Sequence, residues 1–125
     1  MRQDFRPAEH IRRRAEFEQA YQEGLKINGR YMLVFLRPSG LASPRLGIAA
    51  TRKIGGAVVR NLAKRRVREL FRHHKPSTVL DVVVVPRREL VNAPFASLEA
   101  EFRALLDRRV PERGFPRRAR RHSSV

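Results

Sequence analysis

The chain has 125 residues, enough for one domain with a modest core and too few for two cores that close independently. Its 28 Lys and Arg outnumber its 12 Asp and Glu by 16, a charge density that repels itself unless a polyanion neutralises it. Nucleic acid and an anionic membrane are the two candidates. No stretch approaches the roughly 20 apolar residues that cross a bilayer, and no secretory signal begins the chain. We therefore expect a cytoplasmic protein that binds nucleic acid and contacts no membrane.

Metal and redox chemistry have little support in the composition. Cysteine is absent, which excludes disulfides and thiolate metal sites. The four histidines are too scattered to propose an imidazole cluster. Asp81 is an isolated acid at the start of a strand, and no arrangement of Ser, His and Asp for nucleophilic catalysis is legible. We expect no metal held by the protein alone and no organic cofactor.

The first half of the chain predicts one helix followed by strands. Residues 8–23 have a helix-forming composition, and Gly24 follows as a stop. Residues 30–37 form a nearly continuous apolar run, which is typical of a strand buried on both faces. Small residues in 45–51 suit a central strand, which we expect to pair with the preceding strand as a hairpin.

The second half predicts helix, strand and helix. Residues 57–74 contain strong helix formers without Pro or Gly, and Pro76 ends the segment. Residues 79–86 are β-branched and almost wholly apolar, and 93–106 carry apolar residues at helical spacing. The order predicts an α+β or α/β sandwich with helices against one sheet, forming one domain over residues 1–110. The basic tail, 111–125, has almost nothing to bury and is predicted to be disordered when free.

The helix predicted at 57–74 has two unlike faces. At about 100° per residue, one side collects apolar residues that are expected to face the sheet: Val59, Leu62, Ala63, Val67, Leu70 and Phe71. The opposite side, which we call the basic stripe, collects Arg60, Asn61, Lys64, Arg65, Arg68 and Arg72. A solvated surface is the plain alternative, but arginine forks suit phosphate contacts and an amide among them can read a base edge.

A glycine pair precedes this helix. Gly55 and Gly56 leave backbone N–H groups that could hold a phosphate at the helix start. A glycine pair in this position also serves simply as a turn, and the sequence leaves both readings open.

The segment TRKIGGAVVRNLAKRRVRELFR, residues 51–72, resembles the signature of the bacterial ribonuclease P protein family. The similarity extends over most of residues 5–108. It implies a two-layer α+β sandwich of three helices and about four strands, in the order α-β-β-β-α-β-α, with a short extra strand near 25–28. It also implies a left-handed crossover between the third and fourth strands through the arginine helix.

The resemblance implies two RNA contacts. The basic stripe (Arg60, Asn61, Lys64, Arg65, Arg68 and Arg72) would dock on the catalytic RNA subunit. A cleft between the sheet and the first helix would hold the single-stranded 5′ leader of precursor tRNA, through Phe17, Tyr21, Thr51, Arg52, Lys53 and Arg68. Aromatic faces with nearby cations suit such a strand because every base can stack and every phosphate is charged. Core packing is the alternative role for the two aromatic residues.

The sequence departs from the family pattern at three positions. The family often has Arg where this chain has Leu62, and an apolar residue where it has Arg66. These positions are one helical turn apart, which suggests an exchange within one row of the helix. A cleft aromatic of the family is replaced here by Val34.

The resemblance also assigns the chemistry. In this family the RNA subunit hydrolyses the phosphodiester with bound Mg²⁺, and the protein supports removal of the 5′ leader as a binding subunit of this endoribonuclease. We expect no obligate protein partner. Three alternatives are a ribosomal or assembly protein, a DNA-binding regulator, and a protein-only nuclease, which would need clustered carboxylates for Mg²⁺.

Overall fold

The computed structural model of the chain describes residues 10–38, 43–76 and 80–107. The described elements are α1 (Arg14–Glu23), β1 (Leu25–Asn28), β2 (Met32–Pro38), β3 (Arg45–Ile48), α2 (Ala57–His73), β4 (Leu80–Pro86) and α3 (Phe95–Leu106). Short 3-10 turns cover Arg52–Ile54 and Arg88–Asn92. The predicted α+β class and element order, including β1, are confirmed. The predicted tail, 111–125, lies outside the described residues.

The four strands form one mixed sheet in the order β1-β2-β4-β3. The β1–β2 and β2–β4 pairs are antiparallel, whereas β3 runs parallel to β4. The expected hairpin between the second and third strands is therefore wrong, because β4 lies between them. Strand β4 is almost entirely apolar, so its central position buries both of its faces.

Helix α2 connects β3 to its parallel neighbour β4. A parallel connection needs a crossover because the chain must return to the same end of the sheet. The crossover through the arginine helix is confirmed by the strand pairing. Its handedness stays a prediction from the family resemblance.

Helices cover both faces of the sheet, which refines the two-layer expectation. On one face Val34 and Leu36 join residues of α2 and α3 in the main core. On the other, Phe35 and Val83 pack with Ala20 of α1 in a smaller cluster. This division follows from strand geometry, since successive side chains point to opposite faces. The α1 face is the thinly covered one.

Helix α1 begins at Arg14, and not at residue 8 as the composition suggested. Residues 11–13 are extended. The Ile11 backbone N–H donates to the Leu46 carbonyl oxygen at 2.8 Å, and His10 forms a parallel bridge with Leu46. Strand β3 is at the edge of the sheet and leaves backbone groups unpaired there. Pairing with this edge holds the chain extended until Arg14.

Candidate nucleic-acid interface

The amphipathic division of α2 largely matches its prediction. Ala63, Val67, Leu70 and Phe71 are buried against the sheet. On the basic stripe, Asn61, Arg65 and Arg68 are exposed, and Arg60, Lys64 and Arg72 are half-buried. The stripe thus presents a run of cations along the outer side of the helix, in a geometry that a nucleic-acid backbone can follow.

The two ends of the stripe also make contacts within the protein. At the N-terminal end, Arg60 Nη1 donates to the Gly55 carbonyl oxygen at 3.3 Å. At the C-terminal end, Arg72 Nη2 donates to Glu69 Oε2 at 2.6 Å, and this pair holds the pKa of the Glu69 carboxyl below its usual value. The middle of the stripe is therefore its most available part.

The glycine pair forms the turn into α2. Gly55 has a φ of 144°, a left-handed conformation that favours glycine, and a β-carbon there would lie 2.9 Å from Val59 Cβ. This conformation accounts for Gly55. The phosphate-binding hypothesis for the glycine pair stays a prediction.

Leu62 and Arg66, the two positions of α2 that depart from the family pattern, differ in where their side chains point. Leu62 was predicted to be in the core but is 38% exposed. Arg66 instead turns toward α3, where Nη1 donates to the Val91 carbonyl oxygen and Nη2 to that of Ala93, both at 2.7 Å. Its guanidinium also lies 5.9 Å from the centre of the Phe95 ring. Arg66 thus joins α2 to the segment before α3, where a long side chain can satisfy buried carbonyl groups that no apolar residue could.

A cleft of about 550 Å³ lies between α1 and the end of β3. We call it the aromatic cleft, and its lining residues are Arg12, Arg14, Phe17, Glu18, Tyr21, Ile48, Ala49, Ala50, Thr51 and Lys64. Phe17, Tyr21 and Thr51 were predicted there. The structure brings these three residues together in one cleft, and their role in binding a leader stays a prediction.

The two aromatic residues of α1 differ in exposure. Tyr21 is 40% exposed, and its ring packs edge-on against Phe35 at 5.0 Å between ring centres. Phe17 is half-buried, with its ring centre 6.4 Å from that of Tyr21. Partial burial raises the pKa of the Tyr21 hydroxyl above its ordinary value of 10.0. The hydroxyl is protonated at neutral pH, as in any tyrosine, and can donate a hydrogen bond. Tyr21 offers an open face, whereas Phe17 also serves as packing.

On β2 the residue that faces α1 is Phe35 and not Val34, although Phe35 lies behind Tyr21 and does not line the cleft itself. Val34 is fully buried in the main core, on the α2 and α3 face of the sheet, and cannot contact a ligand in the cleft. Phe35 points to the α1 face and supports Tyr21. A shift of one residue along a strand reverses the face, and this explains the error in assigning the position.

The cations that line the cleft differ from those predicted. Arg52, Lys53 and Arg68 are exposed and are not part of the lining. Arg52 and Lys53 directly follow Thr51, and Arg68 is one turn beyond a cleft residue on α2. The sequence reasoning missed Arg12 and Arg14. Both lie within five residues of Phe17, Arg12 just before α1 and Arg14 at its start, and this proximity in sequence was the signal that could have found them.

Lys64 belongs to both surfaces. It lies on the basic stripe of α2, and it also lines the aromatic cleft. Arg60 and Arg68 are its i−4 and i+4 neighbours, so the stripe runs directly past the mouth of the cleft. The two surfaces form one continuous basic region.

Two further properties concern the described ranges alone. In 10–38, 43–76 and 80–107, no three His, Cys, Asp or Glu side chains are grouped where they could share a metal ion. No helix in those same ranges is long and apolar enough to cross a membrane.

The fold and this surface define a small, basic α+β protein whose arginine helix joins two parallel strands. The family model described as ribonuclease P matches residues 5–110. The chain belongs to the bacterial ribonuclease P protein family, as the resemblance at residues 51–72 suggested.

Individual relatives agree with the family model. The ribonuclease P protein component of Thermotoga maritima is 40% identical over 92 residues, covering 72% of this chain and 79% of the relative. That of Citrifermentans bemidjiense is 34% identical over 106 residues, covering 84% and 91%. The solved ribonuclease P protein of Thermotoga maritima superposes with a TM-score of 0.74 at 35% identity, covering 82% of this chain and 99% of that one.

Proposed function

We propose that this chain is the protein subunit of ribonuclease P, which binds the catalytic RNA through the basic stripe and the 5′ leader of precursor tRNA in the aromatic cleft. Family membership supports the association with ribonuclease P. The shared position of Lys64 carries the two-site assignment, because a leader in the cleft would lie directly beside an RNA docked on α2. Both RNAs would thus meet on one surface.

The cleft has the chemistry for a single strand of varied sequence. Tyr21 presents an open ring for a base, while Arg12, Arg14 and Lys64 supply charges for the phosphates. Stacking on an aromatic side chain contributes about 1–3 kcal/mol per base and tolerates any base. A leader that differs among tRNAs needs this kind of recognition.

Hydrolysis is assigned to the RNA subunit with bound Mg²⁺. The contribution of the protein is binding: it grips the leader and distinguishes precursor from mature tRNA. Its positive charge also reduces repulsion between the two RNAs, so that metal sites on RNA fill at a lower Mg²⁺ concentration. A cytoplasmic location and the absence of an obligate protein partner belong to the same proposal.

A reconstitution tests the proposal directly. The protein is mixed with a bacterial catalytic RNA at low Mg²⁺, and removal of the 5′ leader is followed. We expect cleavage that depends on the protein. Tyr21→Ala should weaken binding of precursor tRNA by about 1–3 kcal/mol and leave mature tRNA binding unchanged. Phe17→Ala should show the same selectivity with an added loss of stability, because Phe17 also packs against the sheet.

The ribosomal alternative gives the opposite results. A ribosomal or assembly protein would cofractionate with ribosomes in stoichiometric amounts and would not lower the Mg²⁺ that the catalytic RNA needs. If Tyr21→Ala weakened the binding of precursor and mature tRNA equally, the proposal that the leader binds in the cleft would be wrong.

A further inference from the structure

Five charged side chains form a continuous network of ion pairs between α1 and the sheet. At its centre is Asp81, which is 2% exposed. Arg45 Nε and Nη2 donate to the two Asp81 carboxylate oxygens, each at 2.9 Å, and Arg37 Nη1 donates to Oδ2 at 3.3 Å. Outward, Arg45 Nη1 reaches Glu16 Oε2 at 2.9 Å and Arg37 Nε reaches Glu23 Oε1 at 3.1 Å. The acid that looked isolated in the sequence is thus the centre of the network.

The network spans three strands and both ends of one helix. Asp81 on β4 is in register with Arg37 on β2 and with Arg45 on β3. Glu16 and Glu23 are seven residues apart, about two helical turns, and so share one face of α1. Each arginine therefore ties one end of α1 to the same buried carboxylate.

The apolar contact beneath α1 is small. The buried cluster on this face consists of Ile11, Ala20, Phe35 and Val83, and of these only Ala20 belongs to α1 itself. Phe17 of α1 also packs against this cluster while half-buried, so the apolar contact of the helix comes from Ala20 and Phe17 near its middle. This area is too small to fix by itself how both ends of the helix lie on the sheet. The ion pairs at the two ends supply directional contacts that the apolar cluster lacks.

We propose that Glu16 and Glu23 are positioning residues for leader binding, which fix α1 over the sheet and so set the width of the aromatic cleft. Phe17 and Tyr21 lie between them on the same helix, so a displacement of α1 moves both rings. This inference rests on the proposed function of the cleft. It adds the residues that hold the cleft in its binding geometry.

The outer carboxylates can be tested separately from the buried centre. Their side chains are 30% and 48% exposed, so a neutral replacement leaves no uncompensated buried charge. Asp81 keeps both arginines in either case. Glu16 is the third residue of α1, and its side chain accepts a hydrogen bond from the Arg13 backbone N–H. A glutamine at this position can accept the same hydrogen bond through its amide oxygen. Glu16→Gln with Glu23→Gln therefore removes the charges and retains the helix start.

The experiment measures KM and kcat of the reconstituted holoenzyme for two precursor tRNAs, one with a long leader and one with a leader too short to reach the cleft. For the double variant we expect KM for the long-leader substrate to rise about fivefold, which corresponds to losing roughly 1 kcal/mol of binding. We expect kcat to stay unchanged, and the short-leader substrate to show no difference. Each single variant should give part of the KM effect.

Glu99→Gln is the matched control. It makes the same one-charge change as each single variant, but on α3, across the sheet, where Glu99 Oε2 lies 3.0 Å from His74 Nε2. A double variant that matches this control on the long leader would overturn the positioning role, and so would equal losses on both leaders. If the unaltered protein gave the same KM for both leaders, the proposed function of the cleft would itself be wrong.

Discussion

Gly47 of β3 lies directly under the Phe17 ring of α1. A β-carbon at position 47 would be 2.9 Å from Phe17 Cζ and 3.0 Å from Ile11 Cβ, so the two elements can approach this closely only because residue 47 has no side chain. The Phe17 ring therefore packs directly on the backbone of the sheet, where it lines the aromatic cleft.

Gly47→Ala should disturb both folding and the cleft. Because the methyl group would meet Phe17 and Ile11 at once, we expect a loss of about 1–3 kcal/mol in the free energy of unfolding. The displaced ring should also weaken leader binding. Denaturant unfolding and precursor tRNA binding measure the two effects. Gly56→Ala is the control, since a β-carbon there meets nothing within 4 Å and only the preference for glycine at the N-cap of α2, about 0.5 kcal/mol, is lost. A loss in that variant as large as that of Gly47→Ala would contradict the packing explanation.

Arg65 and Arg66 are neighbours in sequence with opposite predicted roles. Arg66→Ala removes two hydrogen bonds to backbone carbonyl groups, and we expect it to lower the free energy of unfolding by about 2 kcal/mol. Arg65→Ala, on the exposed side, should change stability by less than about 0.5 kcal/mol. It should instead reduce the salt dependence of binding to the catalytic RNA by about one unit of slope.

Denaturation and salt titration separate the two arginines. An unchanged salt slope in Arg65→Ala would count against docking through the stripe. A stable Arg66→Ala protein would show that α3 is held by its apolar contacts alone.

Among the described residues, Glu18 is the one acidic side chain that lines the aromatic cleft, and it pairs with Arg14 at 3.4 Å. The negative charge of Glu18 repels a phosphate, and its ion pair with Arg14 competes with the phosphate for that guanidinium. Glu18→Gln should therefore strengthen leader binding by about twofold to fivefold, the scale of an exposed ion pair. The measurement is precursor tRNA affinity, with Glu99→Gln as the control for total charge. Weaker binding in Glu18→Gln would mean that the carboxylate accepts a hydrogen bond from a base.

The pH dependence of stability should reveal the pair between Glu16 and Arg45. The hydrogen bond from Arg45 lowers the pKa of the Glu16 carboxyl below its ordinary value of 4.5, partly opposed by burial. A lowered folded-state pKa means that this stabilisation is present above about pH 4.5 and is lost as the pH falls through the folded-state value. Denaturant unfolding from pH 7 to pH 3 checks this: the difference between the unaltered protein and Glu16→Gln should shrink in acid. A constant difference would show that the pair does not contribute through its charge.

Much of the molecule was predictable because the periodicity of a helix or a strand depends on residues that are close together in the sequence. The apolar face of α2, its basic stripe and the strand at 80–86 all follow from local patterns, and the motif at 51–72 identified the family. The net charge of +16 indicated a polyanionic partner before any fold was considered.

Other features depended on contacts between residues far apart in sequence. Local pattern could not show that β4 separates β2 from β3, because strand order is decided by which strands bury the most surface together. It could not show that Arg66 turns inward and Leu62 outward, since the carbonyl groups that Arg66 satisfies belong to the segment before α3. Asp81 looked isolated because its two arginine partners are 44 and 36 residues away. Sequence alone thus determined the elements and their charged faces, whereas only the tertiary structure decided which side chains meet, because such contacts are created when distant strands and helices pack.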